Sequence, residues 1–205
     1  EEEGARRENG GAAMRVEHYL PELHALLGLR REMARRTVLS VCEKMVSPVR
    51  ETRWMIGVSH RPFLESVSQA LVDLGVRQAL VYQAIEGSDE APLDGNSSLV
   101  RIRGDEVETF SVEPESLGLP RATKAHIPWQ SAEDEAQNLL AVLHGEGAEP
   151  ARALILYNAA LRLWMGDPDT DSSLDDHLQR ASSALEACAA VGVLKGSHRA
   201  VTLPG

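Results

Sequence analysis

The sequence predicts an α/β fold with a parallel βαβ core, a small antiparallel hairpin and a C-terminal helical cap. Three observations carry that expectation. Two apolar runs of strand length flank a helical stripe, two alternating segments meet across a Gly-Asp pair, and three helical stretches close the chain.

Residues 1–14 are rich in Glu, Gly, Arg and Ala without periodicity and are expected to form a mobile tail, with the α/β domain over 15–205. Across residues 19–33, Leu20, Leu23, Leu26, Leu27 and Met33 recur at helical spacing, one face of an amphipathic helix. A second helix is expected over residues 37–46, with Val38, Val41, Cys42 and Met45 on one side, and Pro48 ends it. Trp54-Met55-Ile56-Gly57-Val58 is a continuous apolar run of strand length. Pro62 suits a first helical turn, Phe63, Val67, Ala70, Leu71 and Leu74 form an apolar stripe, and Gly75 closes the helix. Ala79-Leu80-Val81-Tyr82 is the second strand, parallel to the first. Residues 99–103 and 107–112 alternate around Gly104-Asp105, which predicts an antiparallel hairpin at the surface.

Pro114, Gly118, Pro120 and Pro128 interrupt the next stretch. Ser131 and Asp134 form an S-x-x-D cap for a helix that stops at Gly145. A further helix runs from Glu149 towards Trp164 and Gly166. The last starts at Ser172, with Leu174, Leu178, Ala181, Leu185 and Cys188 along one face.

Hydrophobic residues make up 43% and charged residues 25%, enough apolar material to bury a core, and with aromatics at 4% that core must be aliphatic. The formal net charge is −10, with 31 acids against 21 bases, a balance that disfavours a nucleic-acid partner. No apolar run approaches the roughly 20 residues that span a bilayer, and no apolar stretch of signal-peptide type follows the first residues. Cys42 and Cys188 suggest neither a disulfide framework nor a metal knuckle, so a cytoplasmic protein is expected. The first residue is Glu1 rather than Met, which reads as a piece of something longer.

Charge is unevenly placed. Residues 15–60 carry eight bases and five acids, whereas residues 86–116 carry nine acids and two bases. Two such segments could together hold an anion through a divalent metal, or both could be solvated surface. The most suggestive spot is Glu86-Gly87-Ser88-Asp89-Glu90, directly after the second parallel strand. Ligands collect beyond the carboxyl ends of strands in open α/β sheets. Adjacent carboxylates suit Mg²⁺, which takes one or two of them and fills its other positions with water and substrate phosphate. An acidic loop that merely solvates itself has the same composition. The seven histidines are scattered and form no zinc motif. Arg35-Arg36 could clamp a carboxylate or phosphate through the guanidinium fork, or could be an exposed helix end. No G-x-S-x-G, G-x-x-x-x-G-K-[ST] or other glycine-rich phosphate loop is present.

Several stretches together resemble the anthranilate phosphoribosyltransferase family, whose glycosyltransferase family 3 fold is shared with pyrimidine nucleoside phosphorylases. Leu29-Arg30-Arg31-Glu32 followed by Arg36-Thr37-Val38-Leu39-Ser40 and Ser47-Pro48 looks like the family's L-R-x-E-L-G-x-R-T-x-x-N…N-P segment. Ile56-Gly57-Val58, the helix to Gly75 and Ala79-Leu80-Val81 are similar to its I-G-V…L-G-x-x-x-A-L-V stretch. Glu86-Gly87-Ser88-Asp89-Glu90 looks like its metal-binding E-G-x-D-E loop, and Leu117-Gly118-Leu119-Pro120-Arg121-Ala122 and Asn158-Ala159-Ala160 match two further landmarks. The likeness runs from about Tyr19 to Lys195 but matches only the C-terminal part of the family's catalytic domain.

The resemblance implies a pentosyltransferase that uses phosphoribosyl diphosphate with Mg²⁺ and a small aromatic amine as acceptor. Carried over by position, Asp89 and Glu90 would hold the metal and Arg36 would line the acceptor side. No catalytic residue is assigned. There are departures: the family's two asparagines are Ser40 and Ser47, its Gly-Pro is Glu43-Lys44 (closer to the divergent second-type branch), and its histidine before the metal loop is Gln83. The family's G-T-G-G-D cradle, K-H-G-N segment and N-terminal helical domain have no counterpart in these 205 residues. The isolated chain is therefore expected to be inactive, and to self-associate or seek a partner that supplies the missing half. The alternative reading is a non-catalytic binding or regulatory protein that keeps the fold, in a version linked to nucleic acid that the charge disfavours. A nucleoside phosphorylase shares the fold, but Asp89-Glu90 fits a diphosphate–metal substrate better.

Overall fold

The computed structural model describes residues 19–33, 38–47, 53–85, 88–127, 131–167, 172–187 and 191. The described residues fall into two compact units, one drawn from 1–51 and 191–205 and the other from 52–190.

In the first unit, the helix predicted over 19–33 is two short ones, α1 (Pro21–Ala25) and α2 (Leu27–Met33). The ladder is interrupted at Leu26, whose N–H bonds the Leu23 carbonyl at 3.2 Å, two residues before Gly28, a residue that weakens helices. The next helix, α3 (Leu39–Cys42), tightens into a 3₁₀ turn at Glu43–Met45. Arg30 donates to both carboxylate oxygens of Glu43 at 2.8 and 3.0 Å, and this fork pushes the Arg30 pKa upward.

The second unit is built on a sheet in the order β1 (Trp54–Val58), β2 (Gln78–Gln83), β3 (Ser97–Arg103), β4 (Glu106–Val112). The two apolar runs pair in parallel as expected, Trp54 opposite Ala79 and Val58 opposite Gln83. Helix α4 (Phe63–Asp73) joins them and lies against β2 and β3. Because side chains alternate along a strand, Leu80, Tyr82 and Leu99 point to one face while Ala79, Val81, Val100 and Ile102 point to the other. Leu80, Tyr82 and Leu99 meet Leu154, Tyr157 and Leu161 of α6 (Glu149–Gly166) in the main core, so helices cover both faces.

The expected antiparallel hairpin is present and turns at Gly104 (φ +64°), with its two strands unequally exposed. Its first strand, β3, lies between β2 and β4, with Ser97, Leu99, Val100 and Ile102 buried, while β4 runs exposed along one edge of the sheet. In the fold the Arg101 guanidinium lies 4.6 Å from the Trp164 ring centroid and bonds Glu108 at 2.5 Å, while Arg103 donates to the Asp167 carbonyl at 3.5 Å.

Helix α5 (Ala132–Leu143) starts on the predicted cap, with the Ser131 hydroxyl accepting from the Asp134 N–H at 3.1 Å. Helix α7 (Leu174–Glu186) is capped by Ser173 rather than Ser172. Ser173 and Asp176 bond reciprocally, and this lowers the Asp176 pKa. Its buried face includes His177 beside the expected Ala181 and Leu185. His177 Nε2 lies 3.1 Å from the Ser172 hydroxyl and 3.3 Å from Asp167, and its Nδ1 accepts from Arg180 at 3.0 Å. A buried imidazole with three polar partners is a satisfied core histidine. No helix among the described residues is long and apolar enough to cross a membrane.

Candidate metal-holding loop

Parallel pairing brings the carboxyl ends of β1 and β2 side by side, and the Ala84 N–H continues the ladder by donating to the Val58 carbonyl at 2.9 Å. The chain then turns back sharply. The Ile85 N–H donates to the Glu90 carbonyl at 2.8 Å and the Ser88 N–H to the Ile85 carbonyl at 2.9 Å, which holds residues 88–90 against the end of β2. Its backbone passes so near β1 that a Cβ on Gly57 would lie 2.7 Å from the Ala84 Cβ and 3.0 Å from the Asp89 Cα. Only glycine allows that approach.

Three further anchors hold the loop. The Tyr82 hydroxyl, at the end of β2, donates to the Asp89 carbonyl. The Ser88 hydroxyl donates to Glu90 Oε2 at 2.8 Å and accepts from the Glu90 N–H at 3.2 Å, fixing the carboxylate by a local turn. Asn158, buried on α6, bonds both backbone polar groups of Ala91. Its Oδ1 accepts from the Ala91 N–H at 2.8 Å, and its Nδ2 donates to the Ala91 carbonyl at 3.1 Å and the Leu154 carbonyl at 3.0 Å. The segment that follows is tied too: the Ala122 N–H donates to the Leu93 carbonyl at 3.1 Å, and Arg121 to the Asp94 carbonyl at 2.9 Å.

Asp89 is exposed and Glu90 half-buried, so two neighbouring carboxylates stand at the rim of an immobilised backbone. Among the described residues no group of three or more His, Cys, Asp or Glu side chains is arranged to hold a metal. Two hard oxygen donors without a complete protein cage fit Mg²⁺, which keeps water and substrate phosphate in its remaining positions. Burial pushes the Tyr82 hydroxyl up to about 12, with Arg162 opposing and Asp89 and Glu90 adding to the rise. Tyr82 therefore stays a protonated donor at neutral pH. Glu90 also borders a cavity of about 260 Å³ whose rim carries Glu135 and Glu146, a poor setting for a carboxylate-bearing acceptor.

Of the residues singled out from sequence, Asp89 and Glu90 lie together at the carboxyl end of β2. Arg36 lies outside the described residues, as do Glu86-Gly87 and the 1–14 tail. Sequence reasoning gave Tyr82, Gly57 and Asn158 no part in the loop. A usable signal existed for Tyr82, since a tyrosine inside an otherwise aliphatic strand must find a partner for its hydroxyl.

A mixed sheet with helices on both faces and an acidic loop beyond its parallel strands define an α/β domain whose candidate site lies at the carboxyl end of the parallel pair. Residues 4–191 match the model of the glycosyl transferase family, a/b domain, and the chain belongs to that family. Its relatives include the anthranilate phosphoribosyltransferase of Synechococcus elongatus, 35% identical over 170 residues, covering 83% of this chain and 48% of the relative. The Thermomicrobium roseum protein of the same name is 33% identical over 191 residues, covering 92% and 54%. Among solved structures, anthranilate phosphoribosyltransferase from Thermus thermophilus superposes with a TM-score of 0.72 at 25% identity, over 85% of this chain and 51% of that one. The Saccharomyces cerevisiae enzyme in complex with PRPP and Mg has the same fold, with a TM-score of 0.71 at 20% identity, over 83% and 49%. The chain spans about half the length of the curated relatives it matches.

Proposed function

We propose that this chain carries the metal-holding part of a phosphoribosyltransferase site, with phosphoribosyl diphosphate as donor and a small aromatic amine as acceptor. The observation that supports the reading best is the Asp89-Glu90 pair on a backbone tied down from β1, β2 and α6. Asp89 and Glu90 would hold Mg²⁺. Bound there, the metal would neutralise charge that develops on the departing diphosphate.

The chain's own residues do the positioning. Ser88 orients the Glu90 carboxylate, while Tyr82 and Asn158 keep the backbone from following the metal's pull. A developing cation at the ribose carbon asks for charge and orientation rather than a covalent partner. The diphosphate still needs a cradle of backbone N–H groups, and these 205 residues contain no glycine-rich loop to form one. The reading therefore includes little or no turnover by the chain alone.

Calorimetric titration of phosphoribosyl diphosphate into the chain, with and without Mg²⁺, tests the proposal. Binding that needs Mg²⁺ and weakens at least about tenfold in Asp89→Ala is expected. Binding indifferent to Mg²⁺ and to Asp89 would overturn it. Salt-sensitive binding of DNA or RNA, with no response to phosphoribosyl diphosphate, would favour the non-catalytic alternative.

A further inference from the structure

We infer that Asn158 is a positioning residue for the acidic loop, setting the affinity of Asp89 and Glu90 for a divalent cation although it sits on another element. The inference rests on the proposed role of those two carboxylates. Asn158 is 67 residues from Ala91 in sequence, is 4% exposed, and spends both ends of its amide on the backbone of that one residue, bonding the peptides before and after it.

A side-chain amide that both accepts from and donates to the same residue imitates a strand partner. It fixes the position of the Ala91 backbone and also its rotation. The peptide joining Glu90 to Ala91 is held at both ends, its carbonyl accepting from the Ile85 N–H and its N–H donating to Asn158. Rotation of that peptide would swing the Glu90 Cα and carry its carboxylate away from Asp89. The amide is anchored in turn by its bond to the Leu154 carbonyl one helical turn back, which orients it across the loop rather than along α6. An apolar residue would fill the space, but it would leave the Ala91 N–H and carbonyl buried without partners.

The test is Mn²⁺ affinity by electron paramagnetic resonance on the full chain, comparing wild type with Asp89→Ala, Asn158→Ala and Leu161→Ala. Leu161 is fully buried on the same helix and makes no hydrogen bond to the loop, so its truncation loosens the core while every polar anchor of the loop is kept. Asn158→Ala should bind Mn²⁺ about tenfold to a hundredfold more weakly than wild type. Leu161→Ala should match wild type in affinity despite a lower melting temperature. Hydrogen exchange in the peptide covering residues 84–92 should quicken only in the Asn158 variant. Should Asn158→Ala fold poorly, Asn158→Asp keeps an acceptor for the Ala91 N–H and loses the donor, and it should still weaken Mn²⁺. Wild-type affinity in an Asn158 variant, or an equal loss in Leu161→Ala, overturns the inference while the proposed function stands. Wild type that binds Mn²⁺ no better than Asp89→Ala overturns both.

Discussion

In the sheet unit Leu71, Ala79, Leu80, Val81, Tyr82 and Leu99 are wholly buried, whereas α1 and α2 bury no residue and leave Leu29 56% and Met33 51% exposed. Both regions carry apolar residues at clear helical or strand spacing, so the contrast does not come from local pattern. It comes from what covers the pattern. Strands β2 and β3 have helices on both faces, and each buried leucine there contributes about 2 kcal/mol. Helices of five and seven residues are marginal by themselves, and α2 is tied beyond its own turns by the Arg30–Glu43 fork. The acidic loop belongs to the first kind of region: its local bonds are few, but it is locked by β1, β2 and α6.

The sharpest way to break this contrast is Gly57→Val. The new side chain would collide with Ala84 and with the Asp89 backbone, so a loss of roughly 3 kcal/mol in unfolding free energy is expected, together with loss of divalent-cation binding. Chemical denaturation followed by circular dichroism reads the first effect. A variant as stable as wild type would mean that the loop is not pressed against β1.

A smaller effect is expected at alkaline pH. Burial raises both Tyr82 and Tyr157 to about 12, above the ordinary value of 10.0 that they regain on unfolding. A raised acid pKa favours the neutral folded form, so its stabilisation is complete below pH 10 and is lost as pH rises through 12. Tyrosinate absorbance should show a late step that Tyr82→Phe and Tyr157→Phe each reduce. Titration of both groups near pH 10 would mean that the sheet unit is wetter than described.

The smallest effect lies in the other region. Leu29→Ala removes a side chain that is already more than half exposed, and should change stability by less than about 0.5 kcal/mol in the isolated chain. A loss near 2 kcal/mol would show that α2 is buried in solution, by self-association or by a partner, and concentration dependence would separate these.

Much of this molecule is legible in the chain. The two apolar runs, the Ser131 cap, the Gly104 turn and the place of Asp89-Glu90 after a parallel strand all follow from local residue chemistry and period. The break at Leu26 and the interior place of β3 were not legible. Period alone cannot say whether an arginine on a strand meets water or an indole, and Arg101 meets Trp164 from 63 positions away. His177 hid for a different reason: its partners Asp167, Ser172 and Arg180 are near in sequence, but only the turn into α7 brings them around the buried ring.

The sequence by itself determined which segments are strands and helices, and which two carboxylates stand at the edge of the sheet. Those properties depend on neighbours within a few positions. Only the tertiary structure decided that Gly57, Tyr82 and Asn158 converge on one loop, because a hydrogen bond or a close backbone approach between distant residues exists only once the chain has closed on itself.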